Sequence, residues 1–317
     1  MPSVSIVVPT YKRPEFLAVA LRSLLKQTMG DFEVLVCDNA AQPETAQVVI
    51  DLGDDRITYI PRATNLGMVA NVFDGFRRCT GDYVMKFDDD DEMYPECLEV
   101  LTAPFGERPG LAVSASDFDL VDDEGQLLPE LYAQRIAQTG RDRTPEGYLR
   151  PFTAAAARGT LDMVSALIRR SAIDWTAIDE RADSAYDLHL LLTAAGDAAE
   201  AHYSSRRLVR YRIHGSSDSS TRHTQQTAGA VYARIQALES GRHTDVEVLR
   251  STLAGAGVML ARGYLRQGRT AEARDALIRS GALSFDLPAW RLWTLSRTSS
   301  RLASKVALRR ARAAGVM

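Results

Sequence analysis

Cysteine is scarce in this chain. Among 317 residues there are three, Cys37, Cys79 and Cys97, an odd number without metal-type spacing. That argues against a disulfide framework or a structural zinc site and favours a reduced, cytoplasmic setting. Long apolar runs are missing too. Val4 to Val8 is too short for a secretory leader and is closed by Pro9, and no stretch is long enough to cross a bilayer. Any membrane contact is therefore expected to be peripheral. Nor is there an excess of one charge: 38 Lys and Arg against 41 Asp and Glu give a net −3, so no nucleic-acid partner is expected. Neither the dinucleotide-binding glycine fingerprint nor a P-loop occurs. A bound phosphate would have to be neutralised by a metal ion and side chains instead.

What is present is a soluble composition, 45% hydrophobic and 25% charged, with ample material for a core. It also has one electrostatic anomaly. Tyr83-Val84-Met85-Lys86-Phe87 has the composition of a buried strand, and Asp88-Asp89-Asp90-Asp91 follows it directly. Four adjacent carboxylates repel one another unless a cation or many donors offset them. A solvated acidic turn is the plain alternative. A hard divalent ion, Mg2+ or Mn2+ held by oxygen ligands, is the sharper one.

The surrounding pattern places that anomaly. Val4 to Val8, Phe32 to Cys37 and Ile57 to Ile60 read as strands. Helical segments run from Pro14 through Leu17, Leu21, Leu24 and Leu25, over Glu44 to Ile50, and from Asn65-Leu66-Gly67 through Val69, Val72, Phe73 and Phe76. Alternation of strand and helix predicts a parallel sheet with crossover helices. Thr10 to Arg13, Asp38-Asn39 and Asp88 to Asp91 then fall on one carboxyl edge, where open α/β sheets bind ligands. Further on, Leu111 to Ala115, Phe118 to Val121 and Met163 to Ile168 are expected strands. Tyr186 to Ala195 is an expected helix, and Leu208 to Ile213 an edge strand. Residues 130 to 160 give mixed signals of loop and helix. Beyond residue 225 the pattern is helical. Ala261 to Leu265 with Arg269 to Arg274 is similar to one tetratricopeptide-type helix pair, too little for a solenoid. Residues 291–317 hold seven Arg or Lys and no acid beside Trp293, Leu295 and Leu302. That tail suits an anionic membrane surface or a solvated basic helix packed on the domain.

Taken together, Val4 to Arg13, Val36-Cys37-Asp38-Asn39, Asn65-Leu66-Gly67 with Asn71, Gly81-Asp82-Tyr83 and Phe87 to Asp91 resemble the inverting family 2 glycosyltransferases. The resemblance is close over the first hundred residues and looser to about Ser220. It implies an α/β fold of the GT-A type, a mixed sheet flanked by helices, with a helical C-terminal appendage. Residues 1–222 would form the transferase domain, with a nucleotide-binding half (1–110) and an acceptor half (111–222), and 223–317 the helical region. It further implies a UDP- or dTDP-type nucleotide-sugar donor and a glycan, lipid-linked or small-molecule acceptor. Pro9, Thr10, Tyr11, Arg13 and Asp38 would hold the nucleoside, with Tyr11 packed on the base and Asp38 accepting from it. Asn65, Gly67 and Asn71 would line the nucleotide. Asp88 and Asp90 would form the DxD-like pair, Asp90 as direct metal ligand, with Asp89 between them near the sugar and Asp91 bracing the turn. His214, in Arg212-Ile213-His214-Gly215-Ser216-Ser217, is similar to a late family element that folds over the diphosphate and could join the metal.

The same resemblance exposes a departure. Where the family places a general-base aspartate at the start of a helix, this chain reads Asp183-Ser184-Ala185-Tyr186-Asp187-Leu188, with Ala185 at the expected position. Asp183 would supply a displaced carboxylate. Asp187 is the fallback, although two residues turn it about 200° around a helix. A non-catalytic nucleotide- or glycan-binding relative stays open on this ground. A sugar-phosphate nucleotidyltransferase is disfavoured by Pro9-Thr10-Tyr11, which is no glycine-rich loop.

Overall fold

The β-branched run at the start of the chain forms β1 (Val4–Thr10), flanked in parallel by β2 (Phe32–Asp38) and β4 (Tyr83–Lys86), with β3 (Ile57–Pro61) parallel beyond β2. The crossovers are α1 (Pro14–Leu25), α2 (Pro43–Leu52) and α3 (Met68–Arg78). Pro14 starts α1 where its missing N–H costs nothing, and Leu17, Leu21 and Leu24 are fully buried on one face. Each such leucine contributes roughly 1.5–3 kcal/mol of burial. This computed structural model describes residues 3–196, 199–213, 223–284, 287–297, 304 and 307.

After the tetrad come β5 (Glu92–Met93), α4 (Cys97–Glu107), β6 (Leu111–Val121), α5 (Pro129–Thr139), β7 (Gly147–Leu149), α6 (Thr153–Arg158), β8 (Ala166–Arg169), α7 (Tyr186–Ala194) and β9 (Glu200–Arg212). Among the described residues one mixed sheet runs β3-β2-β1-β4-β8-β6-β9-β5, with β7 on β9. This is the expected α/β architecture. Three local expectations change. Leu111 to Ala115 and Phe118 to Val121 are one strand, because Ser116 and Asp117 stay in the ladder through register shifts against β9. The expected edge strand at 208–213 is the end of a 13-residue strand paired to β5, β6 and β7. Its polar middle, Ser205-Arg206-Arg207, is exposed, and the register skips Ser205 and Arg206 in a bulge. Met163–Ser165 is a 3-10 turn, with Asp162 accepting from the Val164 N–H, so β8 starts only at Ala166.

The chain divides into two compact units, Met1–Glu180 with Thr193–Gly215, and Arg181–Leu192 with Ser216–Met317. The stretch 181–192, expected in the acceptor half, groups with the C-terminal helices. The first unit's core lies about Ile6, Val8, Leu21, Val34, Met85, Leu98 and Phe118. The second contains α8 (His223–Glu239), α9 (Val246–Arg266), α10 (Thr270–Arg279) and α11 (Leu287–Ser296), packed through Leu253, Leu260, Leu265 and Leu277. All three cysteines are buried and free. No helix among the described residues is long and apolar enough to cross a membrane.

Candidate active site

Parallel pairing of β1 with β4 brings the loop after one to the tetrad after the other. Phe87 N donates to Val7 O at 2.9 Å, and past that point the chains meet through side chains. Arg13 Nη1 donates to Asp90 Oδ2 at 2.8 Å and approaches Asp89 Oδ1 at 3.5 Å. Lys12 takes the left-handed conformation at φ 60°, which turns the loop, and Tyr11 stands 45% exposed at its tip. Pro9, between Val8 and Thr10, pairs with Cys37 across β1 and β2. The first loop and the acidic corner, predicted separately, are thus joined by an ion pair.

The β2 side is organised by a residue to which the sequence had assigned no role. Asn39 Nδ2 donates to Asn65 Oδ1 (2.8 Å) and Gly67 O (3.2 Å), while its Oδ1 accepts from Leu66 N (2.8 Å). Every polar atom of that amide therefore clips the 65–67 loop to the end of β2. Gly67 has φ 81° and ψ 163°, a region open essentially to glycine; a Cβ there would meet nothing within 4 Å, so the demand is conformational. Two of the residues expected at the nucleotide also have structural tasks. Asp38 is fully buried and accepts from Ala40 N (2.9 Å), Gln42 N (3.0 Å) and the Tyr59 hydroxyl (2.8 Å), fixing the β2–α2 loop. Asn71 is buried, donating to Cys37 O (2.8 Å) and accepting from Arg62 Nε (2.8 Å), and so braces the loop from behind. Both are held in the loop framework by burial, which the residue type alone does not reveal.

The four aspartates are unequal. Lys86, itself buried, donates to Asp88 Oδ2 at 2.7 Å, and Arg13 takes Asp90. Asp91 Oδ1 accepts from Arg212 N at 2.9 Å, so Asp91 braces the turn against β9. The Arg212 guanidinium completes the clamp, reaching Asp90 O (2.9 Å), Asp122 O (2.8 Å), Asp123 O (3.0 Å) and Glu92 Oε1 (2.9 Å). Burial and then the Asp90 charge push the Asp89 carboxyl up to about 7, against the pull of Thr10 and Arg13. Burial likewise raises Asp91 well above the usual carboxylate range. Asp89 Oδ2, Asp91 Oδ2 and Thr10 Oγ1 are buried with no hydrogen-bond partner among the described residues.

That donor set suits a hard cation. All the groups are oxygen donors, and two buried carboxylate oxygens, Asp89 Oδ2 and Asp91 Oδ2, lack a hydrogen-bond partner among the described residues. Among the described residues, however, no three His, Cys, Asp or Glu side chains are already gathered as a metal site. His214 lies outside the described residues.

The expected base region belongs to the second unit. Asp183 has φ 44° and ψ −132°, a strained backbone that breaks the 3-10 segment Glu180–Ala185, and its Oδ1 accepts from the Ser184 hydroxyl at 3.3 Å. Ala185 is buried, and Asp187 sits in the first turn of α7, a favourable place for an acid. Asp183 lines a cleft of about 180 Å³ with Arg181, Thr224, Gln225, Ala228, Gly229, Tyr264 and Arg269.

The family model described as glycosyl transferase family 2 matches residues 5–174. The chain belongs to that family. It is 33% identical over 133 residues to the GalNAc(5)-diNAcBac-PP-undecaprenol beta-1,3-glucosyltransferase of Campylobacter jejuni, an alignment covering 41% of this chain and 42% of that protein. The match therefore spans less than half the length of that relative. Residues 1–349 of S. aureus TarS in complex with UDP-GlcNAc give a TM-score of 0.63 at 18% identity, over 93% of this chain and 79% of that one. The mannosyltransferase PcManGT of Pyrobaculum calidifontis, in complex with GDP-Man and Mn2+, gives 0.60 at 16% identity over 96% and 86%. These two likenesses establish the GT-A-type fold of the family 2 chain.

Proposed function

We propose that this protein is an inverting, divalent-cation-assisted glycosyltransferase that moves a sugar from a UDP- or dTDP-type donor to an acceptor hydroxyl or amine. The observation that carries the reading is the Arg13 bridge to Asp90 and Asp89, which fastens the loop after β1 to the acidic corner after β4. Exposed Tyr11 offers a face to the base, and the Asn65–Gly67 loop, held by Asn39, flanks the nucleotide. Asp88 and Asp90 would hold Mn2+ or Mg2+, with His214 added, and the bound ion supplies Lewis-acid stabilisation to the departing diphosphate. Arg13 orients Asp90, and Lys86 orients Asp88.

In the reaction the acceptor oxygen or nitrogen bonds to the anomeric carbon as that carbon's bond to the donor phosphate oxygen breaks. The electron pair leaves with the nucleoside diphosphate, and the acceptor proton passes to a carboxylate. Asp183 is assigned that role on two grounds: it is the carboxylate just before the helix where the family carries its base, and its backbone is strained. Asp187 is the second candidate. The Campylobacter relative, whose name gives an undecaprenol-linked acceptor, supports a lipid-linked acceptor here. The basic tail 291–317, most of which lies outside the described residues, would then meet the inner membrane face peripherally from the cytoplasm. Deleting it should reduce co-sedimentation with anionic vesicles, and unchanged co-sedimentation would refute that part.

The deciding experiment is turnover of a panel of nucleotide sugars with and without Mn2+. Asp183→Asn should lower turnover at least ~100-fold, the scale of a general base, with donor affinity retained. Near-normal turnover would move the role to Asp187. Asp90→Ala should abolish the Mn2+-linked part of donor binding in calorimetry, and undiminished metal linkage would sink the assignment of the corner.

A further inference from the structure

β8 runs antiparallel to β4, with Val84 opposite Ile168, so the chain entering β8 stands beside the chain leaving β4. The chain leaving β4 is the acidic tetrad. The chain entering β8 is the turn Met163–Ser165, which packs on β4, β6 and β9 and is capped by Asp162. A carboxylate with no ligand role so far is thus set next to the donor corner, within the same unit. Lys86 serves both: it pairs with Asp88 at 2.7 Å, and its charge reaches Asp162.

Two arginines hold Asp162 in place. Arg135 Nη2 donates to its Oδ2 at 3.3 Å, and Arg141 Nη2 approaches the same oxygen at 3.6 Å. Arg141 is buried and anchored in turn, donating from Nε to Thr160 O at 3.0 Å and from Nη1 to Asp117 Oδ1 at 3.3 Å. Burial alone would raise the Asp162 carboxyl, but the charges of Arg135 and Arg141 outweigh it and hold it below the usual carboxylate range. Asp162 is therefore an anion at neutral pH, a group that accepts hydrogen bonds and donates none.

Its contacts differ from those of the bracing carboxylates nearby. Asp38 is fully buried and accepts at 2.8, 2.9 and 3.0 Å, and Asp91 accepts from Arg212 N at 2.9 Å. Among the described residues Asp162 Oδ1 accepts only from Val164 N, at 3.3 Å. None of its contacts reaches the ~2.7–2.9 Å of a charge-assisted bond. Its side chain is 23% exposed. A carboxylate has about four acceptor positions, so Oδ1 can take a further donor.

We infer that Asp162 is a specificity-determining residue of the donor corner, where its carboxylate accepts from hydroxyls of the sugar that the nucleotide carries. The inference rests on the reading of the tetrad as a nucleotide-sugar site and deepens it. With the diphosphate at Asp88 and Asp90, the sugar ring can extend to a neighbouring strand end, and β8 supplies one. A site built to bond a substrate hydroxyl rejects an analogue lacking it far more strongly than an apolar pocket rejects a methylene. Asp162 would therefore select which hydroxyls the transferred sugar must have.

The test is calorimetry on the full chain with Mn2+ present, using UDP, dTDP, UDP-glucose, UDP-galactose, UDP-N-acetylglucosamine and dTDP-glucose. For the nucleotide sugar that binds most tightly, Asp162→Ala should weaken binding at least ~10-fold, the scale of a hydrogen bond to a charged group, while the matching diphosphate binds as in the parent. Because alanine leaves buried Arg141 facing a gap, Asp162→Asn, which keeps the shape and one oxygen, is measured beside it and should show the same split at ~3–10-fold. Unchanged diphosphate affinity reports in each variant that the corner is intact. Deoxygenating the sugar one hydroxyl at a time should cost the parent ~10-fold at one or two positions and cost Asp162→Ala nothing further there, the coupling expected of groups in contact. Equal weakening of sugar and diphosphate would make Asp162 a brace and overturn the inference, as would a variant that keeps the parent's ratio of sugar to diphosphate affinity. A parent that binds none of these nucleotide sugars loses the donor reading and this inference together; a parent that binds them beside an unaffected variant loses this inference alone.

Discussion

The acidic corner and the Asp183 cleft are built by opposite means. The corner hangs from the ends of β1, β2 and β4, and its geometry follows from a regular parallel register, Val7 opposite Lys86 and Thr10 opposite Asp38. Side-chain hydrogen bonds from Arg13, Asn39 and Arg212 then tie loop to loop. Among the described residues the cleft's unit contains no strand. It depends on a strained Asp183 kept in place by a helix that touches its loop backbone at Gly229. A site on strand ends distributes its support over many bonds. A strained loop concentrates it in a few contacts, and strain persists only where the surroundings over-determine it.

The sharpest way to break the comparison is to remove the one residue that concentrates support in the corner. Arg212 has its side chain 7% exposed and donates to three carbonyls and Glu92. Arg212→Ala should cost about 3 kcal/mol or more of stability in urea unfolding, because it strands buried acceptors around the tetrad. Donor affinity should fall with it. If stability is unchanged, the corner is as redundantly supported as its strands suggest and the clamp is ornamental.

Next in size is Gly229→Ala. A methyl group 1.9 Å from Ala182 O must push α8 or the 181–185 loop aside, at ~1–3 kcal/mol for overpacking. Turnover should drop by more than the loss of folded protein accounts for, while donor affinity stays as in the parent. Circular dichroism alongside kinetics separates the two. Equal loss of turnover and folded fraction would show that the loop needs no help from the helix.

Asn39→Ala is the corresponding change on the strand-end side, and it should be milder for catalysis. It deprives Leu66 N of its acceptor and the Asn65–Gly67 loop of its two donors, an expected ~1–3 kcal/mol. The signature is weaker donor binding with turnover at saturating donor retained. A loss of turnover instead would mean that the loop acts on the reacting atoms and does more than hold nucleotide.

The contrast also explains what could be read from the residues alone. Strand–helix alternation and polar strand ends are local signals, so a parallel sheet with crossover helices and the carboxyl edge that carries the tetrad were legible in the sequence. Burial was not. Asp38 and Asn71 look like surface ligands by type, yet each spends its polar atoms inside the loop framework. Asn39 offered only its position after β2. A bulge at Ser205-Arg206 hid the length of β9, since exposed polar residues in mid-strand interrupt the alternation a strand is recognised by. The Asp183 cleft was the least legible, because a positive φ at an aspartate and a glycine pressed on a carbonyl 47 residues away are products of tertiary packing.

The smallest effect sharpens the cleft's side of the comparison. Glu272 is exposed and pairs at 3.0 Å with Arg269, which lines the cleft. An exposed pair of this kind contributes little to folding, so Glu272→Gln should leave the thermal midpoint unmoved. The donor corner, which has no part in that pair, should show the same nucleotide affinity before and after. A midpoint lowered by several degrees would show that this exposed pair helps hold the cleft wall.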